Sequence, residues 1–307
     1  MNRLPTDLDI SICIATYRRP GPLGRLLASL AVQAGALPSF EILVVDNDAE
    51  GGALAVCRQY EGRLPVRYEV ERTRGISPAR NRAVEASRGP YIAFVDDDCV
   101  VGPDWIATLY GAAVASGADG VFGPIIMRVE GEAPERTLRR RNQERRHRAD
   151  GKPLAWHMTS ACNACIRRSA LPSGAPFDLT LALTGGEDVD LFARMIEGGA
   201  RLVAIKAPVI EENRSAARAN AAWFIRRSFR NGGTRAHVEW RGVRGALLFR
   251  HGLCALWRAA SCLAHVPFAL ARSRSAAFAW LLASATALGM AAWTVGIVYA
   301  EYRRPES

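Results

Sequence analysis

The apolar positions up to residue 115 alternate between strand-like runs and helix-like spacing. The short β-branched runs predict strands, and the segments whose apolar residues recur about every 3.6 positions predict helices. The predicted strands are 9–15, 40–45, 66–70 and 91–95, and the predicted helices include 53–60, 78–87 and 105–115. Strands that alternate with helices imply crossover connections. The pattern therefore predicts an α/β fold, with a mainly parallel sheet flanked by helices.

Polar clusters follow three of the predicted strands. Thr16–Arg18 follow the first strand, Asp46–Asp48 the second and Asp96–Asp98 the fourth. In open parallel sheets, ligands bind beyond the carboxyl ends of the strands. The three clusters therefore predict a single binding crevice at that edge.

Three acids in a row, Asp96–Asp98, follow the apolar strand that ends at Val95. Carboxylates at the end of a buried strand repel one another unless a cation is present. Mg²⁺ and Mn²⁺ prefer oxygen ligands, and such ions usually keep positions open for substrate phosphates. A metal site for a nucleotide diphosphate is the functional interpretation, and a solvated acidic turn is the structural alternative.

A second acidic cluster, Glu187, Asp188 and Asp190, follows the glycine pair Gly185-Gly186 and opens an amphipathic helix. The glycines permit close backbone approach, and acids in a first turn are favoured by the helix dipole, so any one of the three could be purely structural. A carboxylate at this position could also accept the proton of an attacking hydroxyl. Asp188 is the predicted general base.

The order of these motifs resembles that of family 2 glycosyltransferases of the GT-A (Rossmann-like) fold. The resemblance covers about residues 9–233 and rests on several ordered motifs, which are more specific together than singly. The motifs are ATYRR at 15–19, VVDND at 44–48, ARNRA at 79–83, FVDDD at 94–98 and GGEDVDL at 185–191.

The resemblance implies an inverting transfer of one sugar from a nucleotide-diphosphate donor, with Mn²⁺ or Mg²⁺ as cofactor. It implies that Asp188 is the catalytic base and that Glu187 orients the acceptor. The implied nucleotide-sugar ligands are Thr16, Tyr17, Arg18, Asp46, Arg80, Asp96 and Asp97, and the implied metal ligands are Asp98 and Asp96. Many relatives have a further histidine ligand after the last strand, where this chain has Glu211-Glu212-Asn213, so Glu212 is a candidate replacement.

The segment after Asn213, rich in arginine and containing Trp223, resembles the subgroup that builds exopolysaccharide repeat units such as succinoglycan. That resemblance implies a lipid-linked glycan as acceptor and, from the family alone, a UDP-hexose as donor. The Gln-x-x-Arg-Trp sequence associated with processive synthases is lacking, which favours transfer of a single sugar.

The carboxyl-terminal part of the sequence indicates a membrane. Residues 276–300 contain no charged side chain and are long enough to span the hydrocarbon layer as a helix. Residues 245–271 predict an interfacial helix, because His251, Arg258 and His265 recur along one stripe of an apolar segment. We therefore predict a glycosyltransferase domain at 1–240 and membrane-associated helices at 241–307. Basic residues flank 276–300 on both sides, so crossing the bilayer and lying in one leaflet both remain open.

The formal charge of +10 and the pI near 9.7 predict an anionic partner. Three anionic partners are compatible with that charge: nucleic acid, a nucleotide diphosphate and an acidic lipid surface. The motifs favour the last two, and we predict that the protein does not bind nucleic acid. The amino terminus lacks the apolar stretch of a signal peptide, which predicts the cytoplasmic face of a bacterial inner membrane. The basic segment 130–152 is either a solvated surface or a lid that contacts the acceptor.

Two other functions are compatible with parts of the pattern. A sugar nucleotidyltransferase could share the alternating fold and the acidic metal site, but such enzymes usually have a glycine-rich loop after the first strand, where this chain has Thr16–Pro20. A membrane-bound polyanion-binding scaffold would use the positive charge but leaves the acidic clusters unexplained.

The seven cysteines predict a reducing compartment, because their odd number and their apolar surroundings are unlike a disulfide framework. Cys162 and Cys165 have the spacing of half a zinc site, but no second pair stands at a matching distance. They are predicted to be core residues.

Overall fold

A computed structural model describes residues 7–129, 150–215, 218 and 220–302. The described residues divide into two compact units, of which the first comprises 7–128, 150–182 and 187–213, and the second 183–186 together with the residues from 214 onwards. This division falls near Arg214. The predicted boundary at 240, as a boundary between domains, stays a prediction.

Ten strands are present among the described residues. In chain order they are β1 (Ile10–Thr16), β2 (Phe40–Asp46), β3 (Val66–Val70), β4 (Tyr91–Phe94), β5 (Cys99–Val101), β6 (Gly120–Phe122), β7 (Ile125–Val129), β8 (Ala164–Arg167), β9 (Leu202–Ala204) and β10 (Ile210–Arg214). Seven of them form one sheet in the order β3-β2-β1-β4-β8-β6-β9, and β5, β10 and β7 form a second, smaller sheet.

The larger sheet is mainly parallel, which confirms the predicted fold class. Strand β1 pairs in parallel with β2 and β4, β2 pairs in parallel with β3, and β6 with β9. Strand β8 runs antiparallel to both β4 and β6. The antiparallel strand and the smaller sheet were not predicted from the sequence, because their strands are only three to five residues long and short apolar runs carry little periodicity.

Helices cover both faces of the larger sheet. They are α1 (Pro20–Leu30), α2 (Leu54–Arg58), α3 (Ile76–Ala86), α4 (Trp105–Ser116) and α5 (Glu187–Glu197). Buried side chains of α1 and α4 pack with one face of the central strands, and those of α3 and α5 pack with the other. A sheet covered on both faces needs strands that are apolar throughout, and β1 and β2 are buried along almost their whole length.

The second unit contains three long helices, α6 (Ala221–Glu239), α7 (Gly245–Leu270) and α8 (Arg274–Trp293). Helices α7 and α8 are long and apolar enough to cross a membrane by length and composition. Helix α7 agrees with the predicted 245–271. The helix predicted at 276–300 ends at Trp293, and the prediction was wrong there because an uncharged sequence does not by itself indicate where a helix stops.

Two glycines bring α6 and α8 into backbone contact within the second unit. A Cβ atom at Gly232 would overlap the carbonyl oxygen of Thr286, and one at Gly289 would overlap the carbonyl oxygen of Phe229. Small residues at such crossings let two helix backbones approach more closely than side chains allow. The pair therefore fixes where α6 crosses α8.

The cysteines predicted to be core residues are buried. Cys165 lies within β8, and the Sγ atom of Cys162 is 3.3 Å from the Sγ atom of Cys99. Most of the basic segment, 130–149, lies outside the described residues, so its two interpretations stay predictions.

The glycine crossing yields a stability prediction with a matched control in the same helix. We expect Gly232→Ala to lower the free energy of unfolding by about 1–3 kcal/mol, because the added methyl group overpacks the α6–α8 contact. Gly233→Ala has open space, with its nearest neighbour, the Gly289 carbonyl oxygen, 4.0 Å away. It should be neutral or stabilising by up to about 1 kcal/mol, from helix propensity. Urea unfolding of the full chain measures both, and equal stability of the two variants would contradict the contact.

Candidate active site

The three predicted polar clusters lie together at one edge of the larger sheet. Strands β2, β1 and β4 are neighbours, and Thr16 at the end of β1 is directly opposite Asp46 at the end of β2. The residues after β4 reach the same place, since the Oγ1 atom of Thr16 donates a hydrogen bond to Asp97 at 2.8 Å. The structure therefore forms the crevice edge that the strand ends predicted.

Asp97 is the innermost of the three consecutive acids. It is buried, and its two carboxylate oxygens accept hydrogen bonds from Thr16 and from the guanidinium group of Arg19. Burial raises the pKa of Asp97, and the nearby charge of Arg19 opposes that rise. Both carboxylate oxygens of Asp97 are thus engaged by side chains of the protein. Its predicted contact with a nucleotide sugar stays a prediction.

Arg19 also reaches Asp98. The same guanidinium nitrogen lies 2.9 Å from a carboxylate oxygen of Asp97 and 2.9 Å from one of Asp98. Burial and the charges of Asp96 and Asp97 raise the pKa of Asp98 to about 7, although Arg19 opposes the rise. Burial acts to lower the pKa of Arg19, but the two carboxylates outweigh it and the pKa is raised. A single arginine thus partly neutralises a crowded pair of carboxylates.

Arg80 connects the two acidic motifs. From helix α3, one guanidinium nitrogen donates to Asp96 at 3.0 Å, and the other donates to Glu187 at the start of α5. Glu187 and Arg80 are buried, whereas the side chain of Asp96 is 43% exposed. This link places residues that are 91 positions apart in sequence on either side of one side chain. A contact between residues so far apart in sequence cannot be predicted from hydrophobic periodicity.

The three acids at the start of α5 have different surroundings. Glu187 is buried against Arg80, and Asp190 is buried against Arg194 at 2.9 Å. Asp188 is half-buried, and its oxygens accept hydrogen bonds from the backbone nitrogens of Ala161 and Val189. Among the described residues, Asp188 is the member of the three that makes no ion pair. Its position is the one suited to accept a proton.

Glu212, the candidate replacement for a histidine ligand, lies on the strand next to the acidic cluster. It is on β10, opposite Cys99 of β5, and the backbone nitrogen of its neighbour Asn213 donates to the carbonyl oxygen of Asp98 at 2.8 Å. The charge of Glu212 contributes to the raised pKa of Asp98. Asp96 and Asp98 offer carboxylate oxygens, which are the ligands that Mg²⁺ and Mn²⁺ prefer, and the predicted metal set of Asp96, Asp98 and Glu212 stays a prediction.

Asp46 and Arg18 shape the loops beside the crevice. Asp46 is fully buried and accepts hydrogen bonds from the backbone nitrogens of Asp48 and Ala53 and from the hydroxyl of Tyr68. Arg18 donates to Asp48 at 3.0 Å. The observed bonds of Asp46 are structural, so its predicted contact with the base stays a prediction.

Arg18 and Tyr17 form the turn after β1. Arg18 has a φ of 49°, a left-handed conformation that is uncommon outside glycine. The guanidinium of Arg18 lies 5.4 Å from the centre of the Tyr17 ring. The turn therefore presents an aromatic ring and a cation beside the strand ends, which are groups suited to a base and to phosphates.

Two groups at the site were not assigned from the sequence. Arg19 belongs to the ATYRR motif, but the sequence analysis assigns it no role. Its position after the strand next to the one that ends in three acids is the signal that could have identified it. The backbone nitrogen of Ala161, which holds Asp188, carries no sequence signal, because any residue except proline supplies it.

The fold and this arrangement of acids define a GT-A glycosyltransferase. Residues 11–173 match the family described as Glycosyl transferase family 2. The chain is 32% identical over 260 residues to the succinoglycan biosynthesis protein ExoM of Rhizobium meliloti, covering 82% of this chain and 79% of that protein. The chain belongs to glycosyl transferase family 2.

Solved structures agree on the fold. The mannosyltransferase PcManGT from Pyrobaculum calidifontis, in complex with GDP-Man and Mn²⁺, is similar with a TM-score of 0.61 and 18% identity, covering 92% of this chain and 87% of that one. S. aureus TarS 1-349 in complex with UDP-GlcNAc is similar with a TM-score of 0.56 and 15% identity, covering 90% of each chain.

The position of Arg19 predicts the metal affinity of the free protein. We expect Arg19→Gln to bind Mn²⁺ about tenfold more tightly without nucleotide at about pH 8, because a positive charge beside Asp98 is removed. Isothermal titration calorimetry measures the affinity. Arg58→Gln, which removes an exposed arginine on α2, is the matched control and should bind as the native chain does. Unchanged or weaker binding by Arg19→Gln would contradict a competing role for Arg19.

The raised pKa of Asp98 predicts a pH dependence. A metal must displace the proton of a protonated carboxyl, so affinity should be constant above the pKa and fall below it. With a pKa of about 7, we expect Mn²⁺ affinity to fall by up to about tenfold per pH unit below neutrality. Titrations over a pH series test this, and affinity that stays constant down to about pH 5 would contradict it.

Proposed function

We propose that this protein is an inverting, metal-dependent glycosyltransferase that moves one sugar from a nucleotide-diphosphate donor to a hydroxyl of a lipid-linked glycan. The product belongs to exopolysaccharide or cell-envelope synthesis. The observation that carries the proposal is the link through Arg80, which joins Asp96 of the first acidic motif to Glu187 of the second. Asp188 is adjacent to that link and has a carboxylate without an ion pair to any described residue.

The proposed reaction is a single in-line displacement. The acceptor oxygen attacks the anomeric carbon as the bond from that carbon to the diphosphate oxygen breaks, and the hydroxyl proton passes to Asp188. One displacement inverts the configuration at the anomeric carbon and needs no covalent intermediate. The backbone nitrogen of Ala161 donates to Asp188 at 3.0 Å, which orients the carboxylate while it takes the proton.

The other acids position the reactants. Asp96, Asp98 and Glu212 are the proposed ligands of Mn²⁺ or Mg²⁺, which when bound supplies positive charge that stabilises the departing diphosphate. Glu187 holds Arg80 and orients the acceptor. Arg80 and Arg18 are cations beside the crevice that suit the phosphates of the donor, while Thr16, Tyr17 and Asp46 line the nucleotide side.

The donor is proposed to be a UDP-hexose. Support comes from similar proteins, since one similar structure contains UDP-GlcNAc and a similar sequence is a succinoglycan biosynthesis protein. Another similar structure contains GDP-Man, which makes a GDP-sugar the first alternative to measure. The choice of base depends on pocket contacts over a few ångströms.

We also propose that the protein works at the cytoplasmic face of a bacterial inner membrane. The support is the apolar character of α7, whose large apolar side chains are mostly exposed, and the membrane location that a lipid-linked acceptor requires. An enzyme and an acceptor confined to the same surface meet at a high effective concentration without any further contact between them.

Release of nucleoside diphosphate tests the proposal. With Mn²⁺ and a lipid extract as acceptor source, the native chain should release UDP from a UDP-sugar. We expect Asp188→Asn to lower the rate by about 10²–10⁴-fold, because the base is removed while the side chain keeps its size. Asp98→Asn should abolish release at low Mn²⁺ and recover partly at high Mn²⁺.

The matched control is Glu61→Gln, which removes an exposed carboxylate of the same unit and should leave the rate unchanged. The released product distinguishes the competing functions. A nucleotidyltransferase releases pyrophosphate, and a binding scaffold releases neither pyrophosphate nor nucleoside diphosphate. Nucleoside diphosphate release that is unaffected by Asp188→Asn would contradict the assignment of the base.

A further inference from the structure

Helix α7 exposes one continuous apolar face. Placed at about 100° per residue, six of its eight large exposed apolar side chains fall within an arc of roughly 140°. Trp257 and Phe268 are each 76% exposed. The apolar face of α7 consists of Phe249, Leu253, Leu256, Trp257, Leu263 and Phe268. Soluble proteins rarely leave so many large apolar side chains together in water.

Charged groups border this face. Arg250 and Arg258 are exposed on the same helix, Arg250 at the margin of the apolar arc and Arg258 beyond it. The histidines of the predicted stripe are engaged within the second unit, where His251 stacks on Trp240 and His265 on Trp280. The permanent charges on this edge, those of Arg250 and Arg258, are therefore both positive. An apolar face beside arginines complements a membrane surface that contains anionic lipids.

Helix α8 has a different environment from α7. It packs against both α6 and α7, and the hydroxyl of its Ser284 donates to the carbonyl oxygen of Ala259 on α7 at 2.9 Å. Most of the middle of α8 is buried, including Leu282, Ala285, Ala287, Met290 and Ala291. Helix α8 therefore buries much of its middle against α6 and α7, and a larger share of its apolar stretch is buried than in α7.

Helix α8 could enter the hydrocarbon layer only together with α6, because the two helices are in close contact. The two helices touch at backbone level through Gly232, near the middle of α6, and Gly289, about one turn before the end of α8. Helix α6 carries four arginines, Arg226, Arg227, Arg230 and Arg235, of which Arg227 and Arg230 pair with Glu301. A bilayer-spanning α8 would carry these charges into the membrane with it, and buried charges there are costly.

The turn between α7 and α8 is also basic. Residues 271–273 connect the two helices and are exposed, and Arg272 and Arg274 lie at this tip. A spanning hairpin would deliver both arginines across the bilayer. Short loops rich in arginine are instead retained on the cytoplasmic side.

We propose that α7 lies in the plane of the membrane, with its apolar face in the interface and its arginines on anionic headgroups, and that α8 does not cross the bilayer. Such helices insert by about 5–10 Å. The inference rests on the membrane part of the proposed function and deepens it. Neither test below measures sugar transfer. A failure of this membrane proposal can therefore be distinguished from a failure of the proposed reaction.

The first test is binding of the full chain to phosphatidylcholine vesicles with and without phosphatidylglycerol, measured by flotation. We expect the paired change Trp257→Asp and Phe268→Asp to reduce binding at least about tenfold, and omission of phosphatidylglycerol to reduce native binding severalfold. Val114→Asp is the matched control, since Val114 is an exposed apolar residue on α4, and it should bind as the native chain does. Equal flotation of the paired variant and the control would overturn the proposal.

The second test determines the topology. In a Cys254→Ser background, which removes the exposed cysteine, Ser273→Cys reports on the helix tip and Gln59→Cys reports on the first unit. A membrane-impermeant maleimide should label both in inverted vesicles and neither in sealed right-side-out vesicles. Labelling of Ser273→Cys only from the side opposite to Gln59→Cys would show a spanning hairpin and overturn the proposal.

Discussion

The arrangement of the site depends on the balance between buried carboxylates and a few arginines. Asp97 and Asp98 share the guanidinium of Arg19, and Asp96 and Glu187 share that of Arg80. Without these cations the acids at the end of β4 would repel one another in a poorly solvated place. Burial and the charges of Asp96 and Asp97 nevertheless raise the pKa of Asp98, so Arg19 does not fully offset these effects. A site with residual negative charge, open on the side of Asp96, is suited to a divalent cation and a diphosphate.

Much of the first unit could be predicted from the sequence, because long apolar runs and helical spacing are local signals. The predicted strands β1 to β4 and the predicted helices α2 and α3 agree with the structure within a few residues. The convergence of Thr16, Asp46 and Asp97 followed from the general property that parallel strands end at one edge. The antiparallel β8 and the short strands gave no such signal, because their pairing is decided by contacts distant in sequence.

The sequence predicted which residues belong to the candidate site. It did not predict which of them pair with one another through hydrogen bonds and ion pairs. Sequence position indicated that Glu187, Asp188 and Asp190 open a helix, but the structure alone distinguishes them, since Arg80 and Arg194 neutralise two of the three. For α7 and α8, apolar composition did not show whether the apolar side chains are exposed or packed inside the protein. Helix α7 leaves most of its large apolar side chains exposed, whereas α8 buries much of its middle against neighbours that include α6 at Gly289.

The central claim is that the acids after β4 hold the metal of a nucleotide-sugar complex. Crystals grown with UDP and Mn²⁺, with diffraction measured at the manganese absorption edge, test it most directly. We expect one anomalous peak bonded to carboxylate oxygens of Asp98 and Asp96, with the diphosphate on its open side. A peak at another acidic cluster, or a diphosphate bound at this edge without a peak, would contradict the account.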